Sequence, residues 1–458
     1  MEQITKPHCG ARLDRLPDCR WHSSMFAIVA FGLLVCWSNA VGGLILAQLK
    51  ALGWTDNSTT ATFSAITTAG MFLGALVGGI IGDKTGRRNA FILYEAIHIA
   101  SMVVGAFSPN MDFLIACRFV MGVGLGALLV TLFAGFTEYM PGRNRGTWSS
   151  RVSFIGDWSY PLCSLIAMGL TALISAEWNW RVQLLIPAIL SLIATALAWR
   201  YFPESPRWLE SRGRYQEAEK VMRSIEEGVI RQTGKPLPPV VIADDGKAPQ
   251  AVPYSALLTG VLLKRVILGS CVLIAMNVVQ YTLINWLPTI FMTQGINLKD
   301  SIVLNTMSMF GAPFGIFIAM LVMDKIPRKT MGVGLLILIA VLGYIYSLQT
   351  SMLLITLIGF FLITFVYMYV CYASAVYVPE IWPTEAKLRG SGLANAVGRI
   401  SGIAAPYAVA VLLSSYGVTG VFILLGAVSI VVAIAIATIG IETKGVSVES
   451  LSIDAVAR

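Results

Sequence analysis

Two ionisable side chains stand inside long apolar runs, where an unpaired charge costs several kcal/mol and therefore points to function by default. Arg118 lies in the run 112–138 and Asp157 in the run 152–174. A guanidinium at such depth suits bidentate binding of an anionic group or an answering charge for a proton-carrying carboxylate. It equally suits a structural role, hydrogen-bonded to carbonyls or polar side chains. Asp157, four residues before Pro161, is a candidate to take up and release a proton, or a fixed partner for Arg399 or Arg151. Asn277, Gln280 and Tyr281 follow at i, i+3 and i+4 in the run 266–292 and share a helix face, with Asn285 and Trp286 one turn further. Tyr369, Tyr372 and Tyr377 stand among small residues in the run 352–378. Such amides and phenols hydrogen-bond a polar solute, or pair across helices for about 0.6 kcal/mol each. Glu95 and His98, at i and i+3 of another run, also share a face.

The elements that carry these residues are membrane-spanning. Only 13% of the residues are charged, 56% are hydrophobic and the mean hydropathy is +0.73, which excludes an ordinary soluble domain. Apolar runs long enough to cross about 30 Å of hydrocarbon as helices occur at 25–49, 61–82, 90–108, 112–138, 152–174, 182–202, 266–292, 301–323, 331–350, 352–378, 392–414 and 419–440. The chain therefore reads as an all-α polytopic membrane protein. It has a tail 1–24, a six-helix bundle 25–202, a linker 203–265, a second six-helix bundle 266–440 and a tail 441–458. In the linker, residues 207–232 carry alternating charge and predict surface helices, whereas 233–255 are Pro-rich and predict an irregular connection.

The two bundles repeat one unit. Asp83-Lys84-Thr85-Gly86-Arg87-Arg88 and Asp324-Lys325-Ile326-Pro327-Arg328-Lys329 each close an apolar run, 241 residues apart, and at the same offset Gly70 and Gly74 fall on Gly311 and Gly315. Glu138-x-x-Pro141 followed by Arg145-Gly146 matches Glu380-x-x-Pro383 followed by Arg389-Gly390. Glu204-Ser205 and Glu442-Thr443 end both bundles alike. Arg87, Arg88, Arg328, Lys329 and Arg389 against Asp83, Asp324, Glu138, Glu204 and Glu380 predict a breakable latch at the face bearing the termini.

With the termini in the cytoplasm, Lys50, Arg181 and Lys299 lie on the far side and Arg118 and Arg399 within apolar runs. The rest of the 33 Lys and Arg lie on or at the edge of the terminal side. The formal net charge of +8 thus reports topology and not a nucleic-acid surface. Seven cysteines lack metal spacing and predict free thiols. Gly228 and Gly234-Lys235-Pro236 miss both the spacing and the hydroxyl residue of a phosphate-binding loop, which argues against ATP. Three scattered histidines offer no catalytic constellation, so no enzyme and no cofactor are expected. The expected surroundings are a bilayer, a small-molecule substrate and protons, with the chain working as a monomer. A plasma membrane is expected, the inner one in a Gram-negative cell. Asn57-Ser58-Thr59 forms a glycosylation sequon on the far side.

The motifs Gly79-Ile-Ile-Gly-Asp83-Lys-Thr-Gly-Arg87-Arg88, Arg118-x3-Gly122-x-Gly124-x-Gly126, Pro203-Glu-Ser-Pro-Arg207 and Pro379-Glu-Ile-Trp-Pro383 resemble those of the major facilitator superfamily, in the branch of sugar porters and related metabolite porters. The resemblance implies two pseudo-symmetric bundles around a central cavity lined by segments 1, 4, 7 and 10, with segment 3 peripheral. It implies alternating access, with proton symport as the coupling. It directs Asn39, Arg118, Asn277, Gln280, Tyr281, Asn285, Tyr369 and Tyr372 toward a sugar-like solute or organic acid, and Arg118 and Asp157 toward coupling. Two features depart from the family: Ala275 and Met276 replace a Gln pair that grips hexose, and Asn39 stands where many proton-coupled members place Asp. Facilitative uniport is the alternative, followed by a transporter-like membrane sensor.

Overall fold

Without water to satisfy it, a membrane-embedded backbone bonds to itself, and the apolar runs become helices. A computed structural model describes residues 7–17, 19–141, 145–240, 253–323, 325–383 and 386–444, and among these there is no strand. A short α1 (Cys9–Asp14) precedes the first crossing, which is split into α2 (Arg20–Val35) and α3 (Gly42–Ala51). Crossings two to four are α4 (Asn57–Thr85), α5 (Arg87–Ala106) and α6 (Met111–Tyr139). The fifth is split into α7 (Arg145–Asp157) and α8 (Ser159–Leu173), and α9 (Ala176–Tyr201) is the sixth. Surface helices α10 (Pro206–Ser211) and α11 (Tyr215–Thr233) follow, then a single turn, α12 (Tyr254–Leu257). The seventh crossing is α13 (Gly260–Thr293), the eighth α14 (Leu298–Met309) with α15 (Gly311–Val322), and the ninth α16 (Arg328–Ser347). The tenth runs from α17 (Met352–Val370) through a π-helical stretch, Cys371–Tyr377, into α18 (Val378–Glu380). The last two share α19 (Lys387–Ile439) and meet at Gly417, whose φ of 65° only glycine adopts freely.

Nine helical runs among the described residues are long and apolar enough to span a membrane. The two split crossings and the paired last run bring that number into agreement with twelve. The helices overrun the expected ends: the first begins at Arg20, the sixth at Ala176 and the seventh at Gly260.

Proline explains most of the breaks. Inside a helix it lacks the N–H for residue i−4 and crowds that carbonyl. Pro161 faces Asp157, where α7 ends, and Pro313 faces Met309, where α14 ends. The break between α2 and α3 has no proline, and Trp37–Val41 form a turn there.

Packing divides the chain into two compact units. One contains the described residues through Asn39, Gly70–Ser159 and those from Leu184 to 240. The other contains Ala40–Ala69, Tyr160–Gln183 and those from 253 onward. The ends of crossings one, two, five and six that lie away from the termini thus belong to the second unit.

Each unit holds one copy of the repeat, and its packing repeats as well. In the first, a Cβ at Gly70 or Gly74 of α4 would overlap the Phe119 or Val123 carbonyl of α6. In the second, a Cβ at Gly311 or Gly315 of α15 would overlap the Phe360 or Thr364 carbonyl of α17. Phe119 and Phe360, like Val123 and Thr364, are again 241 positions apart. The glycines bring two backbones into direct contact, as small residues do in membrane bundles.

Candidate functional site

The turn of the first crossing is the point on which a buried polar network converges. Arg118, 2% exposed, donates from Nη1 to the Ser38 carbonyl at 2.7 Å and reaches Met121 Sδ at 3.5 Å. The Ser38 carbonyl is available because the helix is open between Val35 and Gly42. The Ser38 hydroxyl lies 2.7 Å from His98 Nε2, and His98 Nδ1 lies 3.4 Å from Glu95 Oε2. Ser38, Glu95 and His98 are fully buried. Segment 3, expected to be peripheral, therefore contributes an acid and an imidazole to the surroundings of Arg118. Gly124 admits α5 here, since a Cβ at that position would press on the His98 backbone. Asn39 sits half-buried in the same turn.

Asp157 is the last residue of α7 and is half-buried beside Trp158 at the break. Arg151, which the sequence offers as a partner for Asp157, instead is exposed and stacks over Trp148 at 5.0 Å.

The second unit holds the remaining polar candidates. Asn277 donates to the Leu273 carbonyl of its own helix at 2.7 Å, with its amide against Gly398. Tyr281 lies along Gly402 beside Thr68, and both Tyr281 and Gln280 are half-buried on α13. Asn285 is 4% exposed. Tyr369 donates to the Val272 carbonyl at 3.1 Å. Tyr372 stacks on Tyr377 at 5.0 Å, and its hydroxyl is directed at Gly332 of α16. Gln280 and Tyr281 thus share one stretch of α13, whereas Asn277 bonds within its own helix, Tyr369 bonds to the backbone of α13, and Tyr372 packs on Tyr377 and α16.

This unit is also joined at the end away from the termini. Gly43 of α3 packs on the carbonyls of Ile284 and Asn285 in α13, near Pro288, which leaves the Ile284 carbonyl without its helical donor. Asn57 donates to Ser414 at 2.9 Å, Asn305 donates to Ser164 at 3.2 Å, and Tyr160 meets Tyr367 at 5.3 Å.

The charged turns form two matching clusters, one in each unit. In the first, Arg87 pairs with Asp83 at 2.7 Å and with Glu138 at 2.9 Å. Glu204 accepts from the backbone N–H of Arg87 at 2.7 Å and of Arg88 at 3.3 Å, at the start of α5. In the second, Arg328 pairs with Glu380 at 3.0 Å, and Glu442 accepts from the N–H of Arg328 at 2.8 Å and of Lys329 at 3.1 Å, at the start of α16. Gly86, with φ 96°, leaves room for the Glu204 carboxylate. Burial works to raise the Glu442 carboxyl, but the N–H groups of Arg328, Lys329 and Lys444 outweigh it and hold the group below the ordinary range. Arg389 lies over the Tyr254 ring at 5.2 Å. Asp324 lies outside the described residues. Among the described residues each of these pairings joins groups of one unit, where the sequence suggested only that these charges latch.

Ser38 and Glu442 were not singled out as site residues from sequence. The parallel endings Glu204-Ser205 and Glu442-Thr443 carried a signal for Glu442. Nothing local marks Ser38, whose part depends on a helix break without proline.

Residues 24–455 match a family described as sugar (and other) transporter. The chain is 99% identical over 457 residues, covering 100% of each, to YdjK of Escherichia coli (strain K12), a protein named for metabolite transport. It is 44% identical, over 99% of each chain, to the inner membrane metabolite transport protein YdjE of the same organism. Among solved structures it resembles the xylose transporter XylE from E. coli in an inward open conformation, with a TM-score of 0.74 at 16% identity, covering 94% of this chain and 99% of that one.

Proposed function

Because the chain belongs to the sugar (and other) transporter family, and is a membrane transporter and not an enzyme, we propose that it is a proton-coupled symporter of a small polar organic metabolite. The observation that carries the coupling is Arg118, buried about two turns into α6 and tied to the open turn of the first crossing. A guanidinium committed to a backbone carbonyl there senses rearrangement of that turn and is poorly placed to meet a solute anion directly. Its role is coupling. Gln280 and Tyr281, half-buried on α13, contact the solute. The positive-inside distribution supports cytoplasmic termini, and the resemblance to an inner membrane metabolite transport protein supports residence in that membrane. The closures at Gly43, Asn57 and Asn305 then hold the outer end shut, one of the two states that alternating access requires. The two charged clusters brace the cytoplasmic ends of their own units.

Ligand stabilisation tests this reading. The melting temperature of purified protein is measured with D-xylose, sorbitol, lactate and benzoate, in wild type, Gln280→Ala and Arg118→Ala. A solute that stabilises wild type and Arg118→Ala, but no longer Gln280→Ala, supports the assignment. An acid whose effect is lost in Arg118→Ala alone makes Arg118 the binding residue and refutes the assignment.

Uniport is the second reading. Asn39, in the turn that Arg118 holds, carries an amide that does not titrate.

A further inference from the structure

A symporter needs a group that binds its proton within the membrane, and Asn39 does not supply one. The network around Arg118 contains two groups that do. Glu95 is fully buried, and its Oε1 has no hydrogen-bond partner among the described residues. Its other oxygen has His98 at 3.4 Å. A buried carboxyl group with one open oxygen, and an imidazole beside the other, is equipped to take up a proton and pass it on. His98 continues the line to Ser38 at 2.7 Å, and Ser38 to Arg118 at 2.7 Å.

We propose that the transported proton is held by the Glu95–His98 pair of α5 and that Ser38 relays its presence to Arg118. The inference rests on the symport reading above.

The relay follows from what an imidazole does at each nitrogen. With the proton bound, the Glu95 carboxyl donates to His98 Nδ1, and the neutral imidazole carries its own proton on Nε2 and donates to the Ser38 hydroxyl, so that hydroxyl must accept. When Glu95 gives up the proton, the imidazole carries its single proton on Nδ1 and donates to the carboxylate, Nε2 becomes an acceptor and the hydroxyl turns to donate. The same residue presents its carbonyl to Arg118, and it stands in the non-helical turn that leads into α3. α3 packs on α13, the helix that carries Gln280 and Tyr281. Loading the proton thus alters the hydrogen bonding of the turn, and the turn is covalently continuous with an element of the solute-bearing unit.

Four elements pack around the pair. The turn after α2 contributes Cys36, whose thiol lies within electrostatic reach of Glu95. α6 contributes Arg118, through Ser38, and the Gly124 contact. On α5 itself, Tyr94 donates to the Gly78 carbonyl at 2.8 Å and so engages α4. α9 approaches with Ala188 against Met102. Arg118 is the cation of this group and is joined to it through Ser38.

Infrared titration of purified full-length protein tests the site without any solute. Wild type is expected to show a carboxylic-acid carbonyl stretch that titrates with pH and disappears in Glu95→Gln but persists in Asp157→Asn. Ser38→Ala keeps both titratable groups and is expected to shift the midpoint of that band by about half a pH unit or more, through one lost hydrogen bond. This second variant decides the matter should Glu95→Gln fail to fold. A band unchanged in both variants overturns the proposal. A band lost in Asp157→Asn instead overturns it in favour of Asp157.

Flux in proteoliposomes separates this inference from the symport reading. D-xylose, sorbitol, lactate and benzoate are each added outside, and the internal pH is followed. Protons that enter with a solute in wild type but not in Glu95→Gln, while that solute still equilibrates down its own gradient, support the proposal. Coupled proton entry retained in Glu95→Gln overturns the Glu95 assignment and leaves symport standing. Solute entry without protons in wild type overturns symport, and the assignment with it.

Discussion

Replacing Glu442 by Gln should weaken the second unit in a pH-dependent way. The Glu442 carboxylate accepts from the N–H groups of Arg328 at 2.8 Å, Lys329 at 3.1 Å and Lys444 at 3.1 Å. Hydrogen bonds to a charged group contribute about 1.5–3 kcal/mol, against about 0.5–1.5 for neutral pairs. Its place at the start of α16 adds about 0.3–1 kcal/mol through the helix dipole. The site borders water, so the net loss for Glu442→Gln is discounted to about 1–2 kcal/mol. For a unit of about 150–250 residues that lowers the melting temperature by about 2–8 °C. The sign with pH follows from the depressed carboxyl. Its stabilisation is present above the unfolded-state value of about 4.3 and is lost as pH falls through the lower folded-state value. Differential scanning fluorimetry of wild type and Glu442→Gln in detergent, from pH 7 down to about pH 3, should show two curves that converge at the acid end. Curves that are parallel throughout, or identical at pH 7, refute the charge-capping argument. Glu204→Gln should cost a similar amount, because Glu204 accepts from Arg87 and Arg88 in the matching place.

Gly74→Leu and Gly315→Leu should each fail to give folded protein or lower its stability by about 1–3 kcal/mol or more, since the added side chain meets the Val123 or Thr364 backbone. Gly79→Ala, at a position with open space, is the control, and size-exclusion profiles with melting curves make the comparison. At the N-terminus, α1 docks through Arg12, which pairs with Glu226 at 2.7 Å and also with Glu219. Burial, aided by Glu210, pushes the Cys9 thiol up to about 12. Arg12→Ala should therefore raise maleimide labelling of Cys9 at least about tenfold, followed by mass spectrometry, and an unchanged rate would show that α1 is held by its apolar face alone.

Where the sequence was legible, the reason is periodicity and backbone chemistry. Apolar length predicted the crossings, and the paired glycines predicted contacts that recur at Phe119 with Phe360 and Val123 with Thr364. Pro161 and Pro313 stand four residues beyond the ends of α7 and α14. The break at Trp37–Val41 contains neither proline nor a charged residue, so its exposed carbonyl, and with it the Ser38–Arg118 contact, was not visible from composition. Glu95 and His98 were visible as an i, i+3 pair, but their link to segment 1 depends on tertiary packing at Gly124. α1 was missed as a helix because its six residues are too few for a periodic signal.

The central claim is coupling to protons, and solute accumulation at a fixed pH difference tests it most directly. Proteoliposomes carrying wild-type protein receive the stabilising solute with a difference of about one pH unit, acid outside, and no membrane potential. One proton per solute predicts accumulation of about tenfold at equilibrium, collapsing when a protonophore is added. An inside-to-outside ratio of one, reached at the same rate with or without the pH difference, would contradict symport and establish uniport.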